Sequence, residues 1–373
     1  MHICFIGEFP HQGQPVGGIS MYIRNTANLL VENGHRVTVL SFSETVFGWE
    51  QQSPFAIYRV HPKKWKLLNF WRIAHEQHRV LKALHAVHPI DAVETPESGL
   101  CFLPKISGIR YVIRLHGGHM FFARALRQPM KSWPTWQEIQ SFKKADAIVG
   151  VSAYVLAETK PFIPTDKPMQ VIFNGVNVQL FSPQHQVPTA YRDIVFVGWL
   201  VPKKGPAFLL QAFLQLAKDF PDTRLHFYGR DTNDESGQSY WESLVQTVPT
   251  DMAPRIFFHG NVPNEQLPQI INTAFCCVYP SQMEAMPVAW LEVLACGQLL
   301  IAGDAGPAKE IIQHGHTGLL CKPTDAADIA GQLRWALQHP EEVQQIREQA
   351  RQTAVQYFAL DTVLLQNLQL WQG

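Results

Sequence analysis

Short apolar runs alternate with helix-spaced patterns along nearly the whole chain. Near the start, "HICFI" reads as a strand. "GISMYIRNTANLLVENG" follows, its apolar positions spaced for one helix face and stopped at Gly34. Strands are then expected at "RVTVLSF", "DAVE", "YVIRLH", "ADAIVGVS" and "MQVIFNGV", with a helix near 68–87. Repeated β-α-β order predicts a parallel sheet with helices on both faces. The polar segment "SPQHQVPTAYRD", with Pro183 and Pro188, interrupts this order and places a domain boundary at 185/186. The pattern then restarts, with strands at "IVFVG", "RLHFYG", "RIFFHG", "FCCVYP" and "LLIAG" and helices between them. The expected architecture is α/β: two doubly wound Rossmann-like domains, 1–185 and 186–373. The last helix, about 358–373, is expected to pack back on the first domain.

Composition sharpens this in three ways. A length of 373 residues suits two domains, and 46 % hydrophobic with 17 % charged residues excludes wholesale disorder. The zero net charge excludes a uniformly basic nucleic-acid binder, but it is a cancellation. Residues 1–185 hold 19 Lys and Arg against 12 Asp and Glu, a net +7, and the remainder is −7. The basic half is the side on which an anionic or membrane-borne partner is expected. Within it, "HPKKWKLLNFWRIAHEQHRVLKALH" interleaves Lys63, Lys64, Lys66, Arg72, Arg79 and Lys82 with Trp65, Phe70 and Trp71, a pattern suited to an anionic membrane surface or to a solvated helix face. Six scattered cysteines without a CxxC read as buried thiols in a reducing compartment. The sequence shows no basic leader and no run of ~18 apolar residues, so the expected location is cytoplasmic, at most peripheral at the inner face of a membrane.

In doubly wound sheets, ligands bind beyond the carboxyl ends of strands, and two such domains make the cleft between them the default site. Five strand-end motifs qualify. "GEFPHQGQPVGGIS" brings Gly17 and Gly18 to a helix N-terminus, where bare backbone can approach an anion, although the loop is not GxGxxG. "RLHGGH" places His116 and His119 where an imidazole can bond a ligand hydroxyl. "GWLVPKKGPAF" sets Lys203 and Lys204 before a helix, against its dipole, a conflict that a bound diphosphate offsets. In "YPSQMEAMPVAWLEVLACG", Glu284 and Glu292 lie in an apolar stretch, and Pro287 suits the first helical turn. "GDAGPAKEII" offers Asp304, Gly306 and Glu310, which an ordinary turn also explains. There is no GxxxxGK[ST], no zinc spacing and no convincing Asp-x-Asp, so Lys and helix N-termini are expected to carry a leaving diphosphate in place of a metal, and no cofactor is expected.

Taken together these residues resemble the retaining glycosyltransferases of family 4, which have the GT-B fold. The likeness is strongest in "VGWLVPKKGPAFLLQAF" and in "YPSQMEAMPVAWLEVLACGQLLIAGDAGPAKEIIQHGHTGLL", which matches the family's Glu-x7-Glu signature. "ENGHRVTVL" and "VIFNGVN" look like two further family segments. The resemblance implies roles at matching positions. Gly18 approaches the donor diphosphate, His116 contacts the transferred sugar and Lys204 neutralises the diphosphate. Glu284 bonds the sugar and Glu292 the ribose hydroxyls. Backbone near Val262 faces the base, and backbone at Met286, Pro287, Val288 and Ala289 faces sugar and phosphate. Two positions depart from the family: Trp199 stands where an Arg is usual, with Lys203 a candidate to compensate, and Asn177 stands where an Asp is usual.

The implied reaction moves a hexose from a UDP- or GDP-type sugar to a glycan or lipid-linked acceptor, as polysaccharide biosynthesis requires. The two Glu are expected to stand too far apart for the ~5 Å nucleophile–acid arrangement of retaining hydrolases, so front-face displacement is expected. Rival readings are a nicotinamide oxidoreductase, which lacks its GxGxxG, a non-catalytic sugar-nucleotide-binding partner, suggested by Trp199, and a same-fold epimerase.

Overall fold

The computed structural model describes residues 1–10, 17–50, 54–61, 69–184, 190–233 and 237–373. They form two compact units, one of Met1–Gly175 with Leu360–Gly373, the other of Val176–Ala359. The division falls ten residues before the boundary read from the sequence, because the chain from Val176 onward already bonds within the second unit. Val176 N donates to Phe358 O at 2.8 Å, and Arg351 Nη1 donates to Phe181 O at 3.0 Å. Five residues of the polar segment, 185–189, lie outside the described residues.

In the first unit the chain runs β1 (His2–Ile6), α1 (Gly18–Glu32), β2 (Arg36–Phe42), β3 (Gly48–Glu50), β4 (Ala56–Val60), α2 (Asn69–Val87), β5 (Ala92–Thr95) and β6 (Arg110–Leu115). It continues with α3 (His119–Ala125), α4 (Ser132–Lys144), β7 (Ala147–Gly150), α5 (Ala153–Thr159) and β8 (Met169–Val171). The sheet order is β3-β4-β2-β1-β5-β6-β7-β8, parallel throughout except for the edge strand β3. All five residues of β1 and all four of β5 are buried, as expected for strands covered on both faces. The strand order reverses between β1 and β5, each paired to the other and continuing outward in opposite directions.

The second unit runs β9 (Arg192–Val197), α6 (Pro206–Leu216), β10 (Thr223–Tyr228), α7 (Tyr240–Val245), β11 (Ile256–Phe258), α8 (Leu267–Thr273) and β12 (Cys276–Tyr279). Then come α9 (Val288–Ala295), β13 (Leu300–Gly303), α10 (Ala308–Ile311), β14 (Leu319–Cys321), α11 (Ala326–Gln338) and α12 (Pro340–Tyr357). Its sheet is wholly parallel, in the order β11-β10-β9-β12-β13-β14, and reverses between β9 and β12. Six of the eight residues of α9 are buried, so this helix is core on nearly every side. All six cysteines are buried and unpaired.

The last helix, α13 (Leu360–Gln372), belongs to the first unit. Its role there is chemical as well as steric. Glu94 and Arg114 are almost fully buried on adjacent strands, and Arg114 Nε meets Glu94 Oε1 at 2.7 Å. A buried ion pair repays its desolvation only when its remaining valences are filled. Tyr22 Oη donates to Glu94 Oε1 at 2.7 Å, and Trp371 Nε1 donates to Glu94 Oε2 at 2.9 Å. Arg114 Nη2 donates to Asn367 Oδ1 at 2.6 Å. Asn367 and Trp371 both come from α13, whose Leu364, Leu370 and Trp371 also join the apolar core around Ile3, Phe5 and Tyr22. Glu94→Ala leaves a buried guanidinium without its carboxylate and is expected to cost about 3–5 kcal/mol, whereas Trp371→Phe, which removes one donor, costs about 1–3 kcal/mol. Urea unfolding of the two variants measures this, and an Ala variant within about 1 kcal/mol of wild type rejects the role.

Candidate functional site

In the second unit the sequence motifs meet at the carboxyl ends of β9 and β12, the strands between which the order reverses. This is where doubly wound sheets bind ligands. The loop after β9 carries Trp199, Lys203 and Lys204, and the loop after β12 carries Glu284. Lys204 Nζ lies 2.7 Å from Glu284 Oε1, with both side chains largely buried. Three backbone approaches fix that pair. Gln282 N donates to Lys203 O at 2.8 Å. Gly205, at φ +74, runs so close to the β12 loop that a Cβ would stand 2.2 Å from Pro280 O. Gly306, at φ +59, leaves only 2.9 Å between a Cβ and Glu284 O, so the loop after β13 buttresses the glutamate from behind. Partial desolvation holds the Lys203 ammonium below the usual lysine range.

Pro287 does not enter the helix: it occupies the N-cap at φ −76, ψ 115, and α9 begins at Val288. Met286 is buried, and Ala289 lies in the first turn of α9. Glu292 faces the interior, 6 % exposed, and burial pushes its carboxyl up to about 7. Among the described residues no ion pair reaches it. Val262 follows β11 in the 259–263 loop. Asp304 meets Lys309 at 3.0 Å in an exposed pair, an ordinary turn contact. Trp199 is 41 % exposed, and the Arg230 guanidinium lies 5.2 Å from its ring centre. Arg230, two residues beyond β10, thus sets its guanidinium beside the ring of the residue that departs from the family pattern. The sequence reading named Lys203 for that task; the Arg230 contact had no signal in sequence spacing.

In the first unit Gly17 is the N-cap of α1 and Gly18 its first residue, while residues 11–16 of the same glycine-rich loop lie outside the described residues. Among the described residues, a Cβ on either glycine would meet nothing within 4 Å, so nothing among them requires glycine at these two positions. His116 and His119 flank Gly117 and Gly118 at the end of β6. The His116 ring packs on Tyr22 at 5.2 Å, and burial with the Arg114 charge lowers its pKa to about 3, so the imidazole is neutral at physiological pH. His119 turns to the chain, its Nε2 accepting from Lys131 N at 2.8 Å. Of the basic stretch 61–85, residues 62–68 lie outside the described residues.

Two acids that the sequence reading missed hold this loop. Glu97 Oε1 accepts from Gly117 N at 2.9 Å, and Glu138 accepts from His119 N and from Met120 N, the latter at 3.0 Å. Both are buried, and a Cβ on Gly118 would stand 2.4 Å from Glu138 Oε1. Burial pushes the Glu97 carboxyl up to about 8. An acid whose folded pKa exceeds its unfolded value stabilises the fold most when protonated, so this contribution is lost as pH rises from about 4.5 to about 8. Glu97→Gln keeps the acceptor oxygen without the charge. Wild type is therefore expected to lose stability relative to Glu97→Gln across that window in thermal melts, and parallel pH profiles reject the assignment.

Among the described residues no group of three or more His, Cys, Asp or Glu side chains could hold a metal ion, and no helix is long and apolar enough to cross a membrane. Residues 177–353 match the model of glycosyl transferases group 1, and residues 16–180 match that of Glycosyltransferase Family 4. A glycogen synthase of Mycobacterium tuberculosis is 27 % identical over 232 residues, 61 % of this chain and 54 % of that protein. The chain thus spans about half the length of this relative. A GDP-mannose-dependent α-(1-6)-phosphatidylinositol monomannoside mannosyltransferase of Mycolicibacterium smegmatis is 27 % identical over 58 % of each chain. Among solved structures, sucrose-phosphate synthase of Thermosynechococcus elongatus superposes with a TM-score of 0.84 at 21 % identity, covering 100 % of this chain and 98 % of that one. Anabaena HepE in complex with UDP-glucose gives 0.78 at 17 % identity, covering 99 % of each. With both family models matched across 16–353 and two parallel Rossmann-like sheets, the chain belongs to the group 1, family 4 glycosyltransferases and has the GT-B fold.

Proposed function

We propose that the chain is a retaining hexosyltransferase that moves a hexose from a UDP- or GDP-linked donor to a glycan or lipid-linked acceptor without a metal. The observation that carries this reading is the Lys204–Glu284 pair at 2.7 Å, set at the strand-order reversal of the second unit. A cation and an acceptor of hydrogen bonds in contact suit a ligand whose diphosphate adjoins a polyhydroxylated ring. Lys204 takes the phosphate charge and Glu284 accepts from sugar hydroxyls. Arg230, seated on Trp199, adds a second cation as the leaving group gains charge. Glu292, buried and easily protonated, is the candidate for the ribose hydroxyls. The UDP-glucose complex of the Anabaena neighbour and the GDP-mannose named for the mycobacterial relative support a nucleotide-sugar donor and leave both bases in play.

In this reading the leaving diphosphate takes the acceptor proton on the face it departs, so no carboxylate serves as nucleophile. His116, neutral at physiological pH, offers a hydrogen bond to the transferred sugar and not a proton. The rate enhancement then comes from placement and charge stabilisation. The rival reading, a non-catalytic sugar-nucleotide binder, rests on Trp199, and the guanidinium of Arg230 over that ring weighs against it.

Two measurements test the proposal. Lys204→Ala and Glu284→Ala are expected to lower transfer or donor hydrolysis by about 10²–10³-fold with little change in melting temperature. Wild-type rates in both variants reject the reading. Gly18→Ala meets no neighbour among the described residues and adds helix propensity, so the melting temperature is expected to hold or rise. Its stabilisation by UDP, GDP or their sugars is expected to fall, because the new methyl group occupies the anion's approach. An undiminished ligand shift rejects the contact at Gly18.

A further inference from the structure

The first unit carries an aromatic surface that the proposed donor chemistry does not use. Phe70 and Trp71 open α2, Phe102 follows β5, and Trp133 and Trp136 open α4. Phe102 is the hub. Its ring centre lies 4.7 Å from Trp71, 5.9 Å from Trp136 and 6.1 Å from both Phe70 and Trp133. Trp133 and Trp136 stack at 5.1 Å. Rings in such mutual contact are normally core, yet Phe70 is 47 % exposed, Trp71 61 %, Trp133 51 % and Trp136 42 %. Exposed apolar patches of this kind mark interaction sites.

The surface is built in place. Lys144 Nζ donates to Cys101 O and Leu103 O at 2.8 and 3.1 Å, clasping the turn that presents Phe102. The inner face of α4 buries Gln137, Glu138, Ser141 and Phe142, so Trp133 and Trp136, one turn apart, are left on the exposed side. The charge of the framing helices has one sign. The only acid of α2, Glu76, is bonded by Arg79 and Tyr58, and the only acid of α4, Glu138, is buried against backbone amides. Lys131, exposed, caps α4 two residues before Trp133, and Arg72 follows Trp71 in α2 with its Nη2 donating to His61 O. A second copy of this chain would bring like charge against like, which disfavours self-association. A surface of lipid phosphates complements it, and Trp is the residue favoured at the level of lipid headgroups.

We propose that this face docks on an anionic membrane surface, with the rings entering the boundary between headgroups and acyl chains and Lys131 meeting phosphates. The inference stands independently of the transfer reading, because vesicle binding requires no donor. The test is co-sedimentation with vesicles of phosphatidylcholine alone and of phosphatidylcholine mixed with phosphatidylglycerol, at low and high salt. Wild type is expected to pellet with the anionic vesicles only and to be released by salt. The double variant Trp133→Ala, Trp136→Ala is expected to lose at least about tenfold in partition with an unchanged melt, and Trp133→Phe, Trp136→Phe to retain most of it. Absence of wild-type binding, or undiminished binding by the Ala variant, overturns the proposal. So does self-association in sedimentation velocity that the Ala variant abolishes, which assigns the face to a second copy. Donor hydrolysis assayed on the same preparations keeps a failure here separate from a failure of the transfer reading.

Discussion

The first unit is organised around one buried charge. Arg114 sits in the middle of the sheet with no access to water, a position that is unfavourable unless every donor it carries is answered. Glu94 on the neighbouring strand answers two of them, Asn367 a third, and Ile172 O accepts a further bond at 3.3 Å. Tyr22 connects this network to the candidate site. Its hydroxyl donates to Glu94, the Arg114 guanidinium lies 4.6 Å from its ring centre, and its ring also packs on His116. The charge that requires the network is thus also one of the causes that keep His116 neutral. Structure and site chemistry in this unit share one charge, which adds to the burial that already lowers the His116 pKa.

The second unit solves a different problem. Its candidate site needs a cation and a carboxylate in contact, on loops that would otherwise wander. The solution is close backbone approach in place of buried charge. Gly205 against Pro280 and Gly306 against Glu284 let three loops pack at distances no side chain would allow. The strand order then delivers those loops side by side, since β9 and β12 are neighbours with oppositely continuing connections.

Much of this was legible in the sequence. The strands β1, β9 and β12 announce themselves by short apolar runs, and the presence of two α/β units by the restart of the pattern, whereas the points where strand order reverses come only from the pairing. Lys204, Glu284 and Glu292 stand out because charge in an apolar stretch demands a reason. What was not legible depends on distance along the chain. Glu97 and Glu138 look like ordinary polar residues until folding brings them onto the amides of Gly117, His119 and Met120. Arg230 acquires meaning only beside Trp199. The short elements β3, α7 and β14 span too few residues to show a period. Pro287 reads equally well as helix N1 or as its cap, and the structure takes the second.

The place of α13 sets an order of events during synthesis. Residues 176–359 form a continuous segment and hold everything their unit needs. The first unit is broken off at Gly175 and lacks Asn367 and Trp371 until residues 176–359 have been made. At roughly 5–20 residues per second, the ribosome leaves that unit's central charge incompletely answered for about 10–40 s. Of the two units, the one that starts first is therefore the one that finishes last.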